Sequence, residues 1–185
     1  MSPVRLARQE YQVSNTVMSA DDVRRAITRI AHEILERQHG PAQIAVVGLQ
    51  RGGAWLADAI VGALHVIEPE SRVPLGYLDV SMHRDDIGLR PVVPGAISRI
   101  EFPVDGATVV LVDDVLFTGR TVRAAMEGIN TYGRPRAIQL AVLVDRGHRE
   151  LPIRPDYVGK NLPTRLSEDV RATSEGVVVS RGVES

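Results

Sequence analysis

The chain has no cysteine among its 185 residues. That excludes a disulfide framework, a thiolate metal site and a cysteine nucleophile, and it suits a reducing cytoplasm. Excess charge is missing too: 22 lysines and arginines against 23 aspartates and glutamates leave −1 at pH 7. Bulk electrostatics therefore predict neither nucleic-acid nor membrane binding, although a local basic face can still exist. No apolar run approaches the roughly 18 residues of a membrane span. The opening MSPVRLARQEYQVSNTVM lacks the apolar core of a signal peptide. There is no internal repeat and no low-complexity segment. With 44% apolar and 24% charged residues, the chain reads as one ordinary globular domain with a substantial core.

Residues 1–18 carry scattered charges with little periodicity and read as an N-terminal tail or arm, leaving 19–185 as a single domain. Ser19-Ala20-Asp21-Asp22 opens a helix in the manner of a capping box, with Asp in place of Glu or Gln, and Gly40-Pro41 stops it. On that helix Val23, Ala26, Ile27, Ile30, Ile34 and Leu35 share one side, whereas Arg25, Thr28, Arg29, His32 and Glu36 share the other. QIAVVGL (43–49), VPLGYLDVSM (73–82), ATVVLVDD (107–114) and RAIQLAVLVD (136–145) read as strands. AWLADAIVGALH and RTVRAAMEGINTYG read as helices, the second ending at Gly133, and a C-terminal hairpin ends in GVVVSR. Strands apolar on both faces and alternating with helices predict an α/β fold with a mostly parallel sheet covered on two sides. Ligands in such folds bind beyond the carboxyl ends of the strands.

Three strand-to-helix junctions therefore hold the interest. In VVLVDDVLFTGRT a strand delivers Asp113 and Asp114 to the sheet edge, and Thr118-Gly119-Arg120-Thr121 turns into a helix. A helix N-terminus with hydroxyl donors and a glycine cradles a phosphate. The carboxylates would repel that phosphate, so they suit the vicinal hydroxyls of a ribose on the same ligand, directly or with Mg²⁺. The plainer alternative is an acidic helix cap without a ligand. At the second junction, Arg51-Gly52-Gly53 offers amides and a charge for a pyrophosphate, or is a simple glycine turn; it is not a Walker A loop. At the third, Arg84 with Asp85 and Asp86 lies on a long polar loop that either closes over a phosphate-bearing ligand or is merely solvated.

These pieces, in this order, resemble a type I phosphoribosyltransferase. RRAITRIAHEILER, YLDVSMHRDD, VVLVDDVLFTGRTVRAA and GRPRAIQLAVLVDRGHRELPIRPDYVGKNLPT are together similar to the PyrR family, over about residues 19–168. That family couples pyrimidine-operon attenuation through leader mRNA to uracil phosphoribosyl transfer. The resemblance implies a type I fold with a small hood. It implies that Asp113 and Asp114 hold the ribose of phosphoribosyl pyrophosphate (PRPP), and that residues 118–121 bind its 5′-phosphate. Arg51, Gly52 and Gly53 would take the pyrophosphate with Mg²⁺, and Arg84 would steady it as it leaves. Uracil would lie under the segment around Val144, Asp145 and Arg146. Purine-salvage relatives typically carry an aspartate where Phe117 stands, and an apolar ring cannot accept a proton, so Phe117 favours a pyrimidine. The family usually has tyrosine there, Thr-Arg-Gly in the pyrophosphate turn, and Tyr where His83 stands.

The resemblance also implies an RNA surface built from Thr28, His32 and Arg37 on the first helix with Lys160, UMP as co-regulator, and a homodimer or dimer of dimers. Thr28 and His32, four apart, are neighbours on the helix's polar face, which without the resemblance would read as simply solvated. The alternatives are a salvage enzyme with no RNA partner, a regulator without catalysis, and a purine transferase, the last disfavoured by Phe117.

Overall fold

The computed structural model describes residues 13–50, 52–80 and 98–181. Helix α1 (Ala20–Gln38) begins where the capping box predicts. The Ser19 backbone N–H donates to Asp22 Oδ2 (2.9 Å), and the Asp22 backbone N–H donates to Ser19 Oγ (3.2 Å). The Ser19 backbone N–H and hydroxyl, with the Arg25 guanidinium, hold the Asp22 carboxyl at about 2. The helix ends at His39, which takes the left-handed conformation (φ 56°). Val23, Ala26, Ile27, Ile30, Ile34 and Leu35 are all buried, and the polar side faces outward. Ser19→Ala should cost about 1 kcal/mol, measured by thermal denaturation followed by circular dichroism. Because Asp22 titrates lower in the fold than in the open chain, the box supports the fold above the ordinary carboxylate range. That support is lost as pH falls through about 2.

Five strands form an all-parallel sheet: β2 (Ile44–Gln50), β3 (Leu75–Asp79), β4 (Thr108–Leu116), β5 (Ala137–Asp145) and β6 (Tyr157–Asn161), in the order β3-β2-β4-β5-β6. Successive residues of one strand serve opposite cores. Val46, Val110 and Leu143 pack with α1 and α2 (Gly53–Ile67), whereas Val47, Leu111 and Val142 pack with α3 (Arg120–Ile129). This is why the strands read as continuous apolar runs. From β2 the chain adds β3 on one side and then crosses to add β4 on the other. The carboxyl ends of β2 and β4 therefore flank the switch point at which open α/β sheets bind ligands.

Three findings differ from the sequence reading. Residues 13–18, read as part of a tail, belong to strand β1 (Val13–Ser19), which pairs antiparallel with β8 (Gly176–Arg181). With β7 (Glu168–Thr173) they make a separate sheet, β1-β8-β7, so the C-terminal hairpin is two-thirds of a small hood layer. Val17 and Met18 anchor β1 against α1, a long-range pairing invisible to local periodicity. Helix α3 stops at Ile129 rather than Gly133, because Thr131 and Tyr132 turn back onto Gly128 and Ile129. Among the described residues no helix is long and apolar enough to cross a membrane.

Candidate active site

β4 runs through the acids instead of stopping at them, ending at Leu116. The side-chain alternation of a strand sends Asp113 and Asp114 to opposite faces. Asp113 is buried, and its Oδ1 accepts the Asp114 backbone N–H (3.0 Å). Asp114 Oδ1 accepts the Val115 N–H (2.8 Å). Burial pushes the Asp114 carboxyl above the ordinary carboxylate value. Gly119, at φ 92°, caps α3, a backbone turn that a side chain would strain. Thr118 Oγ1 lies 3.4 Å from the Arg120 backbone N–H, so the TGRT turn faces the helix's positive end.

The second junction packs directly on the first. A Cβ built on Gly52 would lie 2.5 Å from the carboxylate carbon of Asp114. One on Gly53 would run into the Val112 carbonyl oxygen. The glycines that read as a simple turn are thus the spacing between β4 and the start of α2. Arg51, His83, Arg84, Asp85 and Asp86 lie outside the described residues. The chain on either side of the third junction is described: the Asp79 N–H donates to Ser98 Oγ (3.0 Å), and Tyr77 bridges Arg99. The described residues on its two sides, Asp79 and Ser98, thus meet at the carboxyl end of β3.

The segment around Val144, Asp145 and Arg146 is largely buried and bonded within the fold. Val144 is wholly buried in the core, between Val115 and Lys160 in the ladder. The Asp145 carboxylate accepts from the Gly147 N–H (3.0 Å) and the Arg149 guanidinium (2.5 Å). Arg146 is only 6% exposed and its partners among the described residues include no carboxylate. It donates to Thr164 Oγ1, the Arg165 carbonyl and the Glu168 carbonyl, and its guanidinium lies 4.3 Å from the Phe117 ring centroid. His148 meets the same ring edge-on at 5.8 Å. Arg149, which sequence reasoning passed over, donates to the Phe117 carbonyl (2.8 Å). Its other acceptors are near in sequence, the Asp145 carboxylate and the Gly147 and Ile153 carbonyls, and only the Phe117 carbonyl is brought close by the fold. Asp145, Arg146, His148, Asn161 and Thr164 line a cavity of about 400 Å³.

On α1, Thr28 Oγ1 donates to the Arg24 carbonyl (3.1 Å) and His32 is exposed. Lys160 joins Arg25 and Arg29, not Thr28, in lining a groove of about 370 Å³ between α1 and β6. Arg29 also donates to the Val158 and Gly159 carbonyls, fastening the helix to that strand. Arg37 sits farther along, paired with Asp156 (2.9 Å) and 5.7 Å from the Tyr157 ring. Thr28, His32 and Arg37 thus lie along α1, and Lys160 on the neighbouring β6.

Residues 17–177 match the family model described as phosphoribosyl transferase domain. The chain is 55% identical over 169 residues to the bifunctional protein PyrR of Roseiflexus sp. (strain RS-1), covering 91% of each protein. The chain belongs to the PyrR family. The Streptomyces coelicolor bifunctional protein PyrR is 52% identical, with 89% of this chain and 85% of that protein covered. Among solved structures, hypoxanthine phosphoribosyltransferase from Trypanosoma cruzi superposes with a TM-score of 0.69 at 18% identity, over 96% of this chain and 94% of the other. At that identity the likeness bears on the fold alone, and it bears out the type I phosphoribosyltransferase architecture read from the sequence.

Proposed function

We propose that the chain transfers the phosphoribosyl group of PRPP to uracil, giving UMP and pyrophosphate, and also binds pyrimidine-operon leader mRNA in response to UMP. The observation that carries the first half is the packing of the Gly52 turn against Asp114 at the β2/β4 switch point. It sets the Gly52 turn beside the Asp114 carboxylate at that switch point, which supports reading the turn, the two acids and the TGRT turn as parts of one ligand site. Membership of a family of bifunctional proteins carries the second.

In this reading residues 118–121 hold the 5′-phosphate, Asp113 and Asp114 orient the ribose hydroxyls, and Arg51, Gly52 and Gly53 receive the pyrophosphate. Arg84 steadies the leaving group. The bond from ribose C1 to the pyrophosphate oxygen breaks, the bond to uracil N1 forms, and the N1 proton is released. Uracil's N1 proton is comparatively acidic, so Phe117 need not act as a base, and the chain's residues accelerate the step mainly by alignment and electrostatics. Mg²⁺ fits this site as a substrate-borne ion. No group of three His, Asp or Glu side chains among the described residues could enclose a metal, yet the Asp114 carboxylate sits beside the pyrophosphate turn. Bound there with PRPP, it would neutralise charge on the departing pyrophosphate.

Thr28, His32, Arg37 and Lys160 would contact a single-stranded RNA loop on a surface shared by a homodimer or dimer of dimers in the cytoplasm. A base-panel assay with PRPP and Mg²⁺ tests the transferase half: uracil should turn over and hypoxanthine and guanine should not. No turnover of uracil would leave a regulator without catalysis. Gel shift on the same preparation tests the other half. Leader RNA should bind more tightly with UMP, more weakly as salt rises, and less after Thr28→Ala or His32→Ala. Binding indifferent to UMP and to both substitutions removes the regulatory role.

A further inference from the structure

Phe117 is gripped twice by a single turn. Gly147 (φ 79°) and His148 (φ 61°) are consecutive left-handed residues, so the chain curls back on itself just after β5. Arg146 and Arg149, three apart, thereby reach the same neighbour from different sides. Arg146 lays its guanidinium on the ring, and Arg149 donates to the carbonyl. A non-glycine residue at positive φ is strained. Here His148 is retained there by a 2.6 Å bond between Nε2 and the Thr164 carbonyl and by its edge contact with Phe117.

We infer that Arg149 and Arg146 are positioning residues, which fix the phosphate loop relative to the base-binding hood by holding Phe117. This rests on the transferase reading of the site. The 5′-phosphate and the base are two ends of one ligand, so the distance between their sites has to be set by protein. Phe117 immediately precedes the phosphate turn, and Asp145 closes the strand beneath the hood. Arg149 spans them: one nitrogen donates to Phe117, another to the Asp145 carboxylate, and the third to the Ile153 carbonyl (2.9 Å). That last bond shapes the loop whose Glu150 and Leu151 amides donate to the Thr118 carbonyl (3.0 and 3.2 Å). The Arg120–Glu150 pair adds a further link, but it is half exposed and contributes little. Arg146 connects the Phe117 ring to the Arg165 and Glu168 carbonyls, at the start of β7, and so to the hood sheet. Lysine cannot replace either residue, because an ammonium presents a point charge where a planar fork spans several acceptors.

The test compares a ligand that needs both ends aligned with one that does not. UMP and ribose 5-phosphate are titrated calorimetrically into the parent, Arg149→Lys, Arg146→Lys, Phe117→Leu and Arg146→Lys/Phe117→Leu proteins, with thermal denaturation of each. Arg149→Lys should weaken UMP by at least about tenfold while ribose 5-phosphate stays within about twofold, the signature of misalignment and not of a damaged phosphate site. Arg146→Lys should cost less affinity for UMP in the Phe117→Leu background than alone, because the ring it rests on is already gone. Should Arg149→Lys not fold, Arg146→Lys carries the same two-ligand comparison. Equal weakening of both ligands marks a merely structural role and overturns the inference, as does unchanged UMP binding. Uracil turnover by the parent is measured in parallel. Its absence alongside intact UMP binding refutes the transferase reading and leaves the two-ligand comparison decisive; a parent that does not bind UMP overturns both.

Discussion

Gly52→Ala is expected to lower kcat/KM for PRPP by about a hundredfold or more, the scale of a misplacement near one ångström at a reacting centre. A methyl group at position 52 would lie 2.5 Å from the Asp114 carboxylate carbon, a separation no real contact tolerates, so one of the two must move. The Asp114 side chain is short and tied to the Val115 N–H, and rotating it away removes it from the ribose position the proposed mechanism gives it. If instead the turn moves, the amides proposed to receive the pyrophosphate move with it. Either route damages the site while leaving the core intact, so Tm should fall by only a few degrees. Gly53→Ala should behave in the opposite proportion. Its Cβ would strike the Val112 carbonyl of a central strand, backbone that cannot swing aside, and stability should drop by at least about 1–3 kcal/mol. Steady-state kinetics beside thermal denaturation of both variants separates these cases. A Gly52→Ala enzyme with parental kcat/KM would show that Asp114 and the turn are not one site.

Much of this site could be read from the sequence because its parts are local. Each junction places its residues within a few positions of a strand end, and strand, turn and helix each carry a short-range signal. Val109 to Val112 are an apolar run because both faces of β4 are buried, and Gly119 is a glycine because the turn into α3 needs positive φ. Likewise the wheel of α1 separates Ile30 and Ile34 from Thr28 and His32, since one helix face alone meets the sheet. What escaped is what depends on distant chain. β1 reads as a tail because its strand character exists only in the pairing with β8, 168 residues away by the Val13–Arg181 register. Strand β6 carries little local signal because it is short, with just Tyr157 fully buried. The partners of Phe117 were hidden for the same reason. The sequence argues for an apolar ring at that position, but not that a buried guanidinium lies against it, because Arg146 is charged and reads as a surface residue until its acceptors are found at positions 164–168.

Asp114→Asn should raise stability at neutral pH and lower transferase activity by roughly 10²–10³-fold, the cost typical of deleting one preorganised polar group from an active site. The opposite signs follow from one cause. Burial lifts the Asp114 carboxyl above its unfolded value of 3.8, so the folded protein binds this proton more readily than the open chain does. For a group shifted that way, the favourable contribution is complete at pH below 3.8 and is lost as pH rises through the folded value. At neutral pH the ionised carboxylate is therefore a net cost to the fold, one that the proposed mechanism accounts for because the anion accepts best from ribose hydroxyls. Asparagine keeps an oxygen for the Val115 N–H and removes the charge. The stability gain of Asp114→Asn should accordingly be present at pH 7 and vanish in acid, where the parent carboxyl is protonated as well. Thermal denaturation of both proteins across that range tests the linkage, and a gain that persists unchanged in acid would assign it to packing instead. Parental activity should fall on acidification at a higher pH than an ordinary carboxylate would give, and that limb should disappear from the residual activity of Asp114→Asn. A variant with normal turnover, or one destabilised at neutral pH, would mean that Asp114 supports the turn at Gly52 and is not an orienting group for the ribose.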